Sequence, residues 1–521
     1  MAGEVKEECA VAAITLLNGE GLKTEGGAAF YLSQMLLQMQ NRGQLASGIT
    51  TYNPKRTQVL STHKKVGTVS ETFAINSKER FSSIMKQFNG HSGIGHNRYS
   101  TSGTDDEYSA QPFEHSGSKP WEWFAFSFNG NIANFTELKA SSGPLPSSRP
   151  DLDTEVVMHF LAKAQAPVKA DIQDVFKGLT EKFDGAYNIA YVDAEGTVAA
   201  MRDPLGIRPM CYSITDGFAG AASESVAFYG MTDEDPKTLK PGEMLVSKDG
   251  TAEVKRYAKS PRNAHCMFEY VYFSNAASVL DGRSVYDVRW KLGVELAKQE
   301  TISLNPNEFV VVPIPDTAKP AADGYAYTSG LPAMEGLIKN RGYTGRTFIE
   351  GANREEKVKQ KFNVNKAAIK GKKVILIDDS IVRGTTSKFL VNHLKENGKA
   401  KEVHVRVTCP PVRSPCFYGI DMSKMGELIA NRHSNSEQLQ RNGWNNLDEE
   451  VVNGIAKEIG ADSLRYMSLD GLVKCIGLEN GKKDMCMACL TGDYPTPWGE
   501  KLRRKALDSY LNGTEGKRTY E

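Results

Sequence analysis

Long apolar runs are missing from this chain of 521 residues. No stretch approaches the ~20 apolar residues that a membrane-crossing helix needs. The start, Met1-Ala2-Gly3-Glu4-Val5-Lys6-Glu7-Glu8, lacks the features of a signal peptide. Charge bias is missing too: 64 Lys and Arg stand against 63 Asp and Glu, a net +1, with no long basic block. Nothing marks a nucleic-acid-binding surface. Cysteine is scarce, eight residues in all, and a chain without export signals holds these as thiols or metal ligands rather than as a disulfide framework. These absences predict a cytoplasmic protein with no membrane or nucleic-acid partner. The length predicts two or more domains.

What is there centres on residues 374–387. Val374-Ile375-Leu376-Ile377 is too short for a helix and reads as a buried strand of a parallel sheet. Asp378-Asp379 stands at its carboxyl end, followed by Ser380-Ile381-Val382-Arg383-Gly384-Thr385-Thr386-Ser387. A helical pattern follows, with Phe389, Leu390, His393 and Leu394 on one face and Gly398 at its stop. Strand, acid pair, glycine-and-hydroxyl loop and helix N-terminus make an anion site. Free backbone N–H groups face a phosphate, and Gly384 lets the backbone approach it closely. The two carboxylates suit sugar hydroxyls or Mg2+ beside that phosphate. The run resembles the phosphoribosyl-pyrophosphate (PRPP) motif of type I phosphoribosyltransferases, in the variant of the amidophosphoribosyltransferase family. By that resemblance Arg383, Gly384, Thr385, Thr386 and Ser387 cradle the 5-phosphate, Ser380 also touches PRPP, and Asp378 and Asp379 lie at the ribose and Mg2+.

A second centre is Cys9, directly before the strand Val11–Leu17. A helical stripe follows (Tyr31, Leu32, Met35, Leu36, Met39), then a turn at Asn41–Gln44 and a strand at Gly48–Tyr52. Glu8-Cys9 before a strand resembles the start of class II glutamine amidotransferases, a group of N-terminal-nucleophile hydrolases. The resemblance implies that residues 1–8 are a leader, that Cys9 is the nucleophile and that its freed α-amine is the general base. An α-amine titrates near ~8, which suits that role. Gly95–Gly103 resembles the family's arginine segment, with Arg98 on the glutamine α-carboxylate. Asn129-Gly130 resembles its oxyanion pair. Asp153-Thr154-Glu155 resembles its acidic segment, with Asp153 on the α-ammonium. Phe183–Val192 and Arg202–Pro209 look like scaffold. One departure stands out: Ala10 replaces the family's glycine, and its methyl could crowd the glutamine pocket.

The first domain is expected to span 9–257, with Lys259-Ser260-Pro261-Arg262-Asn263 as linker. In the second, 264–495, strands alternate with helical patterns, which implies a doubly wound parallel sheet. Phe309–Pro315 runs into Asp316-Thr317-Ala318-Lys319-Pro320, which resembles the pyrophosphate loop, with Thr317 at the metal. Lys339–Phe348 resembles the lid over PRPP, with Lys339, Tyr343 and Arg346 as contacts. Gly342 interrupts the usual Lys-Asn-Arg-Tyr order there. Residues 496–521 are expected as a C-terminal tail, with a solvated helix end from Lys501, and Gln438–Asn446 as an extra surface segment.

Cys486-Met487-Ala488-Cys489 alone suits zinc, a redox pair or nothing. Together with Cys266 and Cys416 it resembles the ligand set of the iron–sulfur branch of the family, which implies a structural [4Fe–4S] cluster; a tetrahedral zinc is the alternative. Cys211, Cys409 and Cys475 fall outside the pattern.

The resemblance therefore implies an αββα sandwich followed by a type I phosphoribosyltransferase fold. It also implies conversion of glutamine, PRPP and water to 5-phosphoribosylamine, glutamate and pyrophosphate, the first step of purine synthesis. Mg2+, inhibition by purine nucleotides and a homotetramer belong to the same expectation. Two rivals remain at this stage: an enzyme using ammonia alone, its amidase impaired by Ala10, and a PRPP-sensing regulator without catalysis.

Overall fold

The computed structural model describes residues 9–17, 24–99, 107–142, 153–166, 168–340, 361–422, 424–440 and 446–516. The expected leader and the lid residues Tyr343 and Arg346 lie outside them.

The N-terminal lobe is two stacked antiparallel sheets. The first runs Lys237–Thr238, Cys211–Ile214, Phe218–Ala222, Ala10–Leu16, Ser92–Arg98, Ala46–Tyr52, Leu60–Val66. The second runs Thr251–Arg256, Glu243–Lys248, Val198–Arg202, Gly185–Asp193, Phe124–Ile132, Phe113–His115. Strand alternation divides their side chains. Val11, Ala13 and Ile94 meet Ala125, Ala190 and Ala200 between the sheets, where the many alanines let the layers approach closely. Ala10, Ala12 and Ile14 point the other way, into the core under helix Ala28–Gln38. Phe124, Phe126 and Tyr191 pack under helices Asp153–Gln165 and Ile172–Thr180. The result is the expected αββα sandwich.

The C-terminal lobe holds an open parallel sheet in the order Phe309–Pro313, Lys373–Asp378, Glu402–Val407, Ser463–Tyr466. The strand Val374–Ile377 is wholly buried, as an apolar run in a two-sided sheet must be. Helix Val285–Lys298 packs on Lys319–Ser329, and Thr385–Glu396 packs on Glu449–Ile459. Among the described residues no helix is long and apolar enough to cross a membrane.

The lobes are joined by buried charge. Arg42 donates to Glu224 at 3.1 Å and to both oxygens of Glu269 at 2.8 Å, with all three side chains at most 2% exposed. Removing one partner from such a pair costs about 3–5 kcal/mol, since the other is left charged and dry. Arg202 pairs with Asp281 at 2.7 Å. The helix expected in the C-terminal tail is present, and only its solvation is corrected. Pro497–Leu511 is a helix that buries Leu502 and Ala506. Its Trp498 N–H donates to Asp184 at 3.0 Å, and beyond it Glu515 accepts from the Met425 N–H at 2.8 Å. Its apolar stripe is narrow among many charges, so its sequence reads as surface.

Candidate active site

Cys9, Arg98, Tyr99, Gly130, Asp153 and Thr154 line one small cavity that opens to solvent, walled further by Ser109, Gln111, Phe113 and Phe128. Arg98 ends the strand Ser92–Arg98, and Asp153 opens the helix Asp153–Gln165, where the helix dipole favours a carboxylate. A guanidinium and a carboxylate in one small cavity match the two charges of a free α-amino acid. Burial pushes the Asp153 carboxyl up to about 6. Burial also lifts the Cys9 thiol, more than nearby Arg98 and Arg42 lower it. At neutral pH the thiol is protonated, so its reaction needs an adjacent base.

Three side chains hold the backbone around this cavity. Arg42 Nε donates to the Cys9 carbonyl at 3.2 Å. The Phe128 N–H donates to Gln111 Oε1 at 2.7 Å, and His96 Nε2–H donates to the Phe128 carbonyl at 3.1 Å. Burial drives His96 down to about 3, so it is a neutral donor. Phe128 lies past the end of the short edge strand Phe113–His115, and these two side chains replace the missing ladder. Gly130 follows two residues later, and strand alternation turns its N–H to the same, cavity side. A Cβ at Gly130 would stand 1.9 Å from the Ala186 carbonyl oxygen, so only glycine fits. Asn129 Nδ2 and the Val11 N–H both donate to the buried Ser223 hydroxyl, at 3.5 and 3.0 Å. Ala10, 0% exposed, faces the helix side and does not line the cavity. The expected crowding is corrected: alternation sends its methyl away from the pocket.

At the parallel sheet's carboxyl end, Asp378 and Asp379 are both buried. The hydroxyl of Thr317 donates to Asp379, and that of Ser380 donates to its other oxygen at 2.9 Å. Ser387 donates to Asp378 at 3.4 Å. Gly384 caps the helix Thr385–Glu396 with no side-chain cap, and Thr385, Thr386 and Ser387 form its first turn. Arg383 is turned to Glu427, which accepts from its Nε at 2.9 Å. Lys339 pairs with Asp316 at 3.1 Å on the rim. Leu337–Lys339 pairs with Phe362–Val364, which flank the undescribed 341–360.

A model of the glutamine amidotransferase domain family matches residues 96–230. The amidophosphoribosyltransferase of Methanothermobacter thermautotrophicus is 38% identical, over 95% of this chain and 96% of its own. That of Bacillus subtilis is 35% identical over 88% of this chain and 90% of its own. This chain belongs to the amidophosphoribosyltransferase family. The solved glutamine PRPP amidotransferase from B. subtilis, complexed with ADP and GMP, superposes with a TM-score of 0.77 at 33% identity, covering 94% of this chain and 98% of that one.

Like its relatives, this member of the family pairs an amidotransferase lobe with a phosphoribosyltransferase lobe. Its four expected cluster cysteines are free and buried. Cys266 pairs in register with Cys486, and the Cys489 carbonyl accepts from the Arg413 and Ser414 N–H groups, at 2.8 and 3.0 Å, just before Cys416. Burial raises the thiols of Cys266, Cys486 and Cys489, and the charge of neighbouring cysteines adds to it in each, behind that of Glu269 at Cys266. Among the described residues no three His, Cys, Asp or Glu side chains stand close enough to hold a single ion. Cys409 lies within electrostatic reach of Cys266 and Cys489, which its sequence context does not suggest. Arg42, His96, Gln111 and Ser223 also escape a reading of the sequence. The one signal was Arg42, a charge placed directly after an apolar helical stripe.

Proposed function

We propose that this member of the amidophosphoribosyltransferase family carries out its reaction in two linked sites. The carrying observation is the single cavity shared by Cys9, Arg98, Gly130 and Asp153. Arg98 binds the glutamine α-carboxylate and Asp153 its α-ammonium. Once residues 1–8 are removed, the α-amine of Cys9 takes the thiol proton. The sulfur attacks the carboxamide carbon, and the Gly130 N–H stabilises the oxyanion, with the Asn129 amide, which donates to Ser223 in the free site, as the second donor. Collapse expels ammonia, which takes up the proton, and leaves a thioester. Water cleaves the thioester to glutamate.

Ammonia then passes inside the protein to the Asp378–Asp379 site. There it displaces pyrophosphate from C1 of PRPP through an oxocarbenium-like transition state, giving 5-phosphoribosylamine. Gly384 to Ser387 hold the 5-phosphate, with Arg383 at the loop's edge; Lys339, with Tyr343 and Arg346, meets the pyrophosphate. Two carboxylates and the Thr317 hydroxyl are hard oxygen donors, and such a set holds Mg2+ together with substrate oxygens. Bound Mg2+ would neutralise and orient the pyrophosphate. Purine nucleotides as inhibitors and a homotetramer belong to the same proposal.

Four thiolates are soft donors, and Cys489 lies within electrostatic reach of Cys266, Cys416 and Cys486; such a set suits an iron–sulfur cluster, with a tetrahedral zinc as the alternative. Bound there, the cluster would cross-link the start of the C-terminal lobe (Cys266) to Cys416 and to Cys486 and Cys489. Anaerobic reconstitution is expected to restore iron and sulfide in equal amounts, and Cys489→Ser to lose both. Protein lacking iron and sulfide after reconstitution would rule the cluster out.

Asp153 makes the glutamine half pH-dependent. Only its carboxylate attracts the α-ammonium, and burial places its titration at about 6. Below that pH, kcat/KM for glutamine is expected to fall ~10-fold per unit. Asp153→Asn should be poor throughout and lose that inflection. The reaction itself is tested by incubating the protein with glutamine and Mg-PRPP. Equal yields of glutamate and pyrophosphate support the reading; pyrophosphate from water alone, with no aminated sugar, overturns it.

A further inference from the structure

A six-residue stretch of the C-terminal lobe, Cys416 to Asp421, lies against the oxyanion strand of the other lobe. Asn131 Nδ2 donates to the Phe417 carbonyl at 2.8 Å. Arg208 donates to the Tyr418 carbonyl. Gly419, at φ +107°, abuts Gly130: a Cβ there would stand 3.2 Å from the Gly130 carbonyl carbon and oxygen and 3.0 Å from the Arg208 guanidinium. The far end of the stretch meets the PRPP loop, where Arg383 Nη2 donates to the Asp421 carbonyl at 3.5 Å. Residues 416–421 thus touch the oxyanion glycine at one end and the phosphate loop at the other.

We infer that Asn131 is a positioning residue for the oxyanion pair, anchored on the Phe417 carbonyl of the other lobe. Gly130 ends neither in a turn nor in a regular ladder on its cavity side. Upstream, Gln111 and His96 fix the peptides of Phe128. Downstream, the strand is held by the Asn131 amide on the Phe417 carbonyl and by the packing of Gly419 on Gly130. The Gly130 N–H is therefore aimed by both lobes together. Displacing an oxyanion donor by a fraction of an ångström weakens it in the transition state while leaving glutamine binding to Arg98 and Asp153 intact. The inference rests on the glutaminase reading of the Cys9 cavity.

The test compares Asn131→Ala, Asn131→Asp and Gly419→Ala with wild type, using mature full-length protein. Glutamate release gives kcat and KM for glutamine; pyrophosphate release with added ammonia reports the other site and the fold. The expected result is a ~10- to 100-fold fall in glutaminase kcat for all three, with KM within about twofold and the ammonia-dependent rate unchanged. Asn131→Asp separates aim from size: it matches asparagine in shape but as a carboxylate cannot donate to Phe417, so it should fall at least as far as alanine. Wild-type kcat in Asn131→Asp would overturn the inference. So would a parallel loss of the ammonia-dependent rate, which marks a structural contact only. Absence of glutamine hydrolysis in the wild type would instead remove the reading beneath it.

Discussion

Cys9→Ala is expected to abolish glutamine use while sparing the chemistry on PRPP. Among the residues that line the cavity with Arg98 and Asp153, Cys9 carries the one thiol, a stronger nucleophile than the hydroxyls of Ser109 and Thr154. Losing a nucleophile that acts with its base and oxyanion hole as a unit costs about 10⁴-fold or more in kcat. The alanine removes a partly buried sulfur that donates a long, weak hydrogen bond to the Tyr99 carbonyl at 3.8 Å, so the lobe should keep its fold. Pyrophosphate release with ammonium chloride should stay within about twofold, because the Asp378–Asp379 site lies in the other lobe. Stopped assays for glutamate and pyrophosphate on the same preparation check both halves. Equal loss of the two activities would mean that Cys9 serves the fold rather than the chemistry.

Gly130→Ala is expected to cost about 10²–10³-fold in glutaminase kcat, the usual loss for one oxyanion donor. The added methyl would stand 1.9 Å from the Ala186 carbonyl oxygen and 2.6 Å from its carbon. Both are backbone atoms of the neighbouring strand, paired with Phe124–Ile132 from Phe124–Asp193 to Ile132–Gly185. Neither can swing aside as a side chain would, so the peptide between Asn129 and Gly130 must tilt. KM for glutamine should change little, since Arg98 and Asp153 are untouched, and ammonia-dependent turnover should persist. A variant with normal glutamate release would place the oxyanion elsewhere.

Local chemistry was the legible part of this chain. The buried strand ending in Asp378-Asp379, its glycine-and-hydroxyl loop and its helix follow from residues adjacent in sequence. Arg98, Asn129, Gly130 and Asp153 were legible only by resemblance, yet the fold brings Arg98, Gly130 and Asp153 to one cavity with Cys9. The contacts that aim these groups were not legible. Gln111 and His96 reach Phe128 across 17 and 32 positions, and Arg42 reaches the Cys9 carbonyl across 33. Such pairings depend on how two sheets stack, which no local pattern encodes. Ala10 was misjudged for a simpler reason. It shares a face with Ala12 and Ile14, and period-two alternation alone directs it into the core under helix Ala28–Gln38. That placement also weakens the case for an enzyme limited to ammonia. The tail was misjudged because its buried positions, Leu502 and Ala506, are sparse among Arg503, Arg504 and Lys505.

The central claim is that two sites in two lobes act as one enzyme. The most direct test is glutamate release from glutamine, measured with and without Mg-PRPP on anaerobically purified protein. Release should rise sharply when PRPP binds, since residues 416–421 touch both Arg383 and Asn131, beside the two proposed sites. No release under either condition, with pyrophosphate still formed from added ammonia, would contradict it and leave a phosphoribosyltransferase that works alone.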